Sequence, residues 1–280
     1  MYTPIKLPYF APAPVPLPTY EEIITQASSE AADQATRTIV KIGERYIVKY
    51  GKEIDFAEGE NMLIVLQHTS LPIPKLYAMY RHEPSGNNVI IMENIEGEVL
   101  SKCYDNLDAG QTASIGAQLR WQLNELRKIP SPGVYGLPGI RPYLAHKWIF
   151  KKRAGPFNNA SDFLEEYFNS QFSEAGKSAR LVLEDMKTKF LELCKNHKAP
   201  VFTHGDLQPQ NIILRKDGSI SIVDWESASY CPEYFEFFVH RTYEVVSAGL
   251  SEGDRDSFLA YGEMVKLIIK VWDTYVQSIQ

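Results

Sequence analysis

The sequence predicts an α+β fold: a small antiparallel sheet with one inserted helix, followed by a larger, mainly helical part. Three observations predict it. Four short apolar runs, three of them carrying β-branched residues, fall within residues 36–95, paired by tight turns. Apolar residues recur at steps of three and four in several segments after Gly97. A third hairpin pattern, Val201 to Trp225, interrupts those helices.

Residues 1–20 hold six of the 17 prolines (Pro4, Pro8, Pro12, Pro14, Pro16, Pro18), and the apolar spacers between them favour an extended polyproline strap laid on the body. From Thr36 the pattern turns to strand. Thr38–Ile42 and Tyr46–Tyr50 flank a turn at Gly43-Glu44 and form a hairpin. Glu58–Gln67 has helical spacing at Met62, Val65 and Leu66, and Pro72 and Pro74 forbid its continuation. Lys75–Arg81 and Asn88–Asn94, joined by Pro84-Ser85-Gly86-Asn87, make the second hairpin. Asp108 and Gln111 are placed as a capping box opening a helix that runs through Arg127 and stops before Pro130. Residues 161–172 and 177–196 read as further helices. Phe258, Tyr261, Val265, Ile268, Trp272, Tyr275 and Ile279 mark a long closing one. The interposed hairpin pairs Ile212–Leu214 with Ile220–Val223 around Lys216-Asp217-Gly218-Ser219. The expected division is a strap over 1–20, a first lobe over 21–95 and a second over 96–280.

Composition narrows the function. With 44% hydrophobic and 23% charged residues, the chain is neither disordered, collagenous nor a small disulfide scaffold. A net charge of −6 repels nucleic acid and anionic membranes, and the basic runs at 147–153 and 187–198 are short and interleaved with other residues. No nucleic-acid or membrane partner is therefore expected. Cys103, Cys194 and Cys231 form no CxxC pair, which suits a reducing, cytoplasmic location. Cys194-x-x-His197 lacks the second paired half of a zinc site. Apolar runs are too short to span a membrane, and Pro4 and Pro8 break any signal-peptide core. A monomer is expected.

The informative segment is Thr203-His204-Gly205-Asp206-Leu207-Gln208-Pro209-Gln210-Asn211, followed by Ile222-Val223-Asp224-Trp225-Glu226. Asp206, Asn211 five residues on and Asp224 thirteen beyond that can converge three oxygen-bearing side chains on one point, and hard oxygens suit Mg²⁺. This segment resembles the HGDxxxxN catalytic loop and metal motif of the aminoglycoside phosphotransferase and choline kinase branch of the protein-kinase-like fold. The resemblance covers roughly residues 36–280, and details such as His68 to Pro74 and Asp224-Trp225-Glu226 look most like fungal members of the phosphotransferase family.

The resemblance implies a bilobed fold in which the first lobe binds nucleotide and the second carries the catalytic loop, the metal site and the acceptor-binding helices. It implies ATP and Mg²⁺ as cofactors and a small-molecule hydroxyl as the phosphoryl acceptor. Asp206 would orient the hydroxyl and take its proton, and Asn211 and Asp224 would hold the metal. Lys49 would contact the phosphates, kept in place by Glu58 or Glu60. These point about 200° apart around a helix, and Glu58 shares the face of Met62, Val65 and Leu66. Met92, Glu93 and Ile95 fall at the interlobe hinge, where backbone would meet the adenine with Met92 behind it. His204 and Gly205 read as scaffolding for the loop. Glu233, Glu236 and Glu244 beside Tyr234, Phe235, Phe237 and Tyr243 suit a cationic acceptor, and equally a solvated helix face with core aromatics.

Two departures stand out. No glycine precedes Gly43, so a phosphate-covering glycine loop is absent, and residues 26–37, with Ser28 and Ser29, are left to supply a lid. Trp225-Glu226 replaces the Phe-Gly of protein kinases, with no room for an activation segment before Pro232. The first keeps a rival reading open, a catalytically idle protein that binds a nucleotide or metabolite.

Overall fold

Strict alternation in the β-branched runs leaves each strand with two usable faces, and the molecule covers both. The computed structural model describes residues 4–29, 36–145, 149–172, 188, 199–232 and 235. Their contacts group into two compact units, one of residues 3–102 and 210–226, the other centred on 103–209 and the residues from 227 on. That grouping differs from a division of the chain at residues 20 and 95, because backbone pairing ties both the N-terminal segment and the 210–226 hairpin to the first unit.

The first unit is built on β1 (Tyr9–Phe10), β2 (Thr38–Ile42), β3 (Tyr46–Gly51), β4 (Leu76–His82) and β5 (Asn87–Glu93). They form one antiparallel sheet in the order β1-β4-β5-β3-β2. On one face Val40, Val48, Tyr50, Val89 and Ile91 form a buried cluster with Ile23 and Ala27 of α1 (Tyr20–Ser29). Each fully buried aliphatic side chain of such a cluster contributes roughly 1.5–3 kcal/mol. The opposite face receives α2 (Ala57–His68), whose Gly59 lies so close to β4 that a Cβ there would meet Met79 Sδ at 2.6 Å.

The N-terminal segment is more structured than a polyproline strap. Tyr9 and Phe10 pair with Met79 and Ala78, Ala11 N–H donates to the Tyr77 carbonyl at 2.9 Å, and Tyr46 donates its hydroxyl to the Val15 carbonyl at 2.6 Å. Helix α1 is an element that the sequence analysis does not contain. Its signal is a capping box, in which Thr19 N–H donates to Glu22 Oε2 at 2.7 Å and Glu22 N–H to Thr19 Oγ1 at 3.2 Å. Residues 26–29, expected in a lid loop, are therefore the last turn of a helix. The short strand β6 (Glu98–Val99) leads into a single turn, α3 (Leu100–Cys103). β6 also pairs with β8 (Ile212–Leu214), which in turn pairs with β9 (Ile220–Ile222).

In the second unit, α4 (Ala109–Leu126) opens with the expected box. Asp108 N–H donates to Gln111 Oε1, and Gln111 N–H to Asp108 Oδ1. Its face of Ile115, Leu119, Leu123 and Leu126 is buried. Helix α5 (Ala160–Phe172) brings Phe163 and Tyr167 into an aromatic cluster with Tyr135, Tyr143, Phe150, Phe157 and Phe235. Strands β7 (Val201–Thr203) and β10 (Ser229–Cys231) pair with each other in the same unit. The helices expected over 177–196 and 258–279 lie outside the described residues, apart from Thr188. Among the described residues no helix is long and apolar enough to cross a membrane.

Candidate functional site

Lys49 lies at the centre of β3, opposite Ile39 and Ile90, between neighbours whose side chains enter the α1 face. Period two therefore sends its side chain to the α2 face. There the ammonium, on a side chain only 5% exposed, meets Glu58 Oε1 at 2.7 Å and Asp224 Oδ1 at 2.7 Å. Burial by itself depresses the Lys49 pKa, but attraction to Glu58 and then Asp224 outweighs it and holds the ammonium above its ordinary range. Glu58 is pushed up by burial, against the pull of Lys49. Two carboxylates for one cation leave the trio with a net negative charge, which attracts a further cation. Of the two carboxylates the sequence left open, Glu58 is the one on Lys49.

Asp224 reaches the lysine from the open end of the β8–β9 hairpin. The Val223 N–H donates to the Asn211 carbonyl at 2.9 Å, extending the ladder one step past Ile212 and Ile222. At the next residue the ladder stops, since Asp224 has φ +66°, and strand alternation no longer dictates where its side chain points. Trp225 is fully buried and donates its indole N–H to the Ile222 carbonyl at 3.1 Å. Its own carbonyl accepts from Asn61 Nδ2 at 2.9 Å, and Glu226 pairs with Arg37.

Asn61, Arg37 and Glu226 have no role assigned by the sequence analysis. For Asn61 the available signal is its place three residues after Glu58, one turn along the same face. For Arg37 the sequence carries none. Glu58, Asp224 and Glu226 bring carboxylate oxygens within 4.8 Å of one another. Together with Asn211, whose carbonyl is tied to the residue before Asp224, these are hard oxygen donors, which fit Mg²⁺ and not a soft metal.

Along β5, Met92 is buried opposite Ile47 and Leu76. Glu93, paired with Tyr46 in the ladder, donates its N–H to the Lys75 carbonyl at 2.9 Å, and its carboxylate accepts from Lys75 N–H. Ile95 follows in irregular chain.

Asp206 belongs to the second unit, in the loop after β7. Its carboxylate accepts from Gln208 Nε2 at 2.6 Å, and its N–H donates to Nδ1 of the fully buried His204 at 3.3 Å, so His204 props the loop. Gly205 has φ +78°, and a Cβ there would lie 2.5 Å from the Ser227 carbonyl, so no other residue fits without moving that chain. Glu233, Tyr234, Glu236, Phe237, Tyr243, Glu244, Cys194 and His197 lie outside the described residues, as do the side chains of Ser28 and Ser29.

Residues 24–270 match the family described as "Phosphotransferase enzyme family". No curated protein matches the chain. Among solved structures, the GDP and kanamycin complex of APH(2")-IIIa aligns with a TM-score of 0.57 at 16% identity, covering 90% of this chain and 89% of that one. A thermostable mutant of aminoglycoside phosphotransferase APH(4)-Ia, in a ternary complex with AMP-PNP and hygromycin B, aligns with a TM-score of 0.56 at 13% identity. It covers 87% of this chain and 86% of that one. At these identities the likeness carries the fold, an antiparallel sheet with helices of the aminoglycoside phosphotransferase type.

Proposed function

The chain belongs to the phosphotransferase enzyme family, and on that premise we propose that it moves the γ-phosphoryl group of ATP to a hydroxyl of a small molecule. The observation that carries this reading is the buried Lys49 held between Glu58 and Asp224, which supports a phosphate-contacting role for its ammonium. Lys49 contacts the phosphates, and Asn211 and Asp224, with Glu226 close by, hold Mg²⁺. That ion, when bound, supplies charge neutralisation along the phosphates. Asp206 orients the acceptor hydroxyl and takes its proton. The Glu93 carbonyl and the Ile95 N–H meet the adenine, with Met92 behind the ring. The solved relatives, complexed with GDP, AMP-PNP, kanamycin or hygromycin B, support a nucleotide and a polyhydroxylated acceptor as the class to try first.

A second reading, binding of a nucleotide or metabolite without transfer, draws on the helical conformation of residues 26–29 and the lack of any glycine before Gly43. ATP consumption measured over a library of hydroxyl compounds separates the two, because transfer requires turnover with at least one acceptor. Once an acceptor is found, Asp206→Asn should lower single-turnover transfer by at least about 10²-fold while ATP binding stays within about twofold. Unchanged transfer removes Asp206 from the mechanism.

A further inference from the structure

Asp224 stands in the left-handed region of backbone space, which a residue with a Cβ leaves unless its surroundings hold it there. Hydrogen bonds hold it on both sides. Before it, Val223 is tied to Asn211. After it, Asn61 donates to the Trp225 carbonyl at 2.9 Å, and the Trp225 indole is tied back to Ile222. Asn61 is 0% exposed in the interior of α2, where an amide side chain is costly to bury and contributes nothing to helix propensity. The bond to the turn offsets that cost. Glu58 and Asn61 lie three residues apart on one helical face, so a single turn of α2 grips both Lys49 and the segment that carries Asp224. Gly59, between them, lets that turn sit against Met79 and Leu76 of β4.

We propose that Asn61 is a positioning residue: by holding the Trp225 carbonyl it keeps the Asp224 carboxylate on Lys49. The functional consequence rests on the metal-holding role proposed for Asp224, whereas the structural one does not. Without the amide, the Trp225 carbonyl loses this donor and the far side of the turn is held less firmly. Asp224 then relaxes out of the left-handed region and carries its carboxylate off the lysine.

The test uses Asn61→Leu, which keeps the branched shape and removes the donor, with two readouts. In its ligand-free crystal structure the Lys49 to Asp224 contact should open beyond the roughly 4 Å limit of an ion pair while Lys49 stays on Glu58. By calorimetry, the gain in ATP affinity on adding Mg²⁺ should fall about tenfold, the upper scale of one buried hydrogen bond, with metal-free ATP affinity within about twofold. A retained Lys49 to Asp224 contact overturns the inference whatever the nucleotide does. So does a lowered melting temperature with the Mg²⁺ gain unchanged, the mark of a merely structural residue. A parent protein that binds no Mg·ATP overturns the functional reading instead, and the crystal structure still decides the role of Asn61. Should Asn61→Leu fail to fold, Asn61→Ala, smaller and likewise without a donor, carries the same comparison.

Discussion

A lysine in the middle of a strand, on the face that a helix covers, is stable only because two carboxylates meet it. Removing the cation and removing one anion should therefore differ. Lys49→Met leaves Glu58 buried with no counter-charge and should destabilise the protein by about 3–5 kcal/mol, the usual scale for orphaning a buried charge. Glu58→Gln keeps a hydrogen-bonding partner and leaves Asp224 on the ammonium, so its loss should be distinctly smaller. Urea unfolding of both variants checks the order, and equal losses would mean that Asp224 does not share the lysine. The place of Lys49 in an apolar strand was legible in the sequence. The identity of Asp224 as its second partner was not, because 175 residues separate the two and only the fold closes that distance.

Two helices decide what the first unit's sheet can carry. Helix α2 approaches β4 through Gly59, where even a methyl group would lie 2.6 Å from Met79 Sδ and 3.2 Å from Leu76 Cδ2. Gly59→Ala should thus cost about 1–3 kcal/mol as overpacking, despite the better helix propensity of alanine. Because the Met79 side chain is the obstacle, Gly59→Ala with Met79→Ala should cost less than the sum of the two single changes, read by denaturant melts in a double-mutant cycle. Helix α1 covers the other face with Ile23 and Ala27, and its start rests on the reciprocal bonds of Thr19 and Glu22. Thr19→Ala should lower stability by about 1 kcal/mol, and no change would show that the cap is dispensable once α1 is packed. The Thr19-x-x-Glu22 pattern was there to be read. The prolines before it masked it, and so did the short apolar content of the helix, with a single isoleucine pair.

At the scale of the whole molecule, burial sets the response to alkali. Lys49 is held above its ordinary range by its two carboxylates, and burial pushes the Tyr167 hydroxyl well above the usual phenol range. Both groups keep their protons in the native state at a pH where the unfolded chain has begun to lose them, near pH 10 for either side chain. The sign follows: their contribution to stability is complete below about pH 10 and is lost as pH rises through the native values. The melting temperature should therefore fall steeply above about pH 10. Tyr167→Phe, which removes one of the titrations, should make that decline shallower. A melting curve for Tyr167→Phe that parallels the parent's through this range would show that Tyr167 does not contribute.

Local patterns were enough to set out most of the elements. Apolar runs joined by short turns placed β2 to β5, the turn at Asp217-Gly218 placed β8 and β9, and the Asp108 and Gln111 pair placed the start of α4. These signals are short-range, confined to residues that are neighbours in the chain, and so they survive in a one-dimensional reading. The same holds for the choice of Glu58 over Glu60, a matter of angle around one helix. What only the tertiary structure decided are the contacts between segments far apart in sequence. They are the N-terminal residues joining the sheet as β1, the 210–226 hairpin grouping with the first hundred residues, Arg37 on Glu226, and Asn61 on the Trp225 carbonyl. The physical reason is that a buried polar atom takes whichever partner the packed fold brings within about 3 Å, and no spacing rule along the chain encodes which residue that will be.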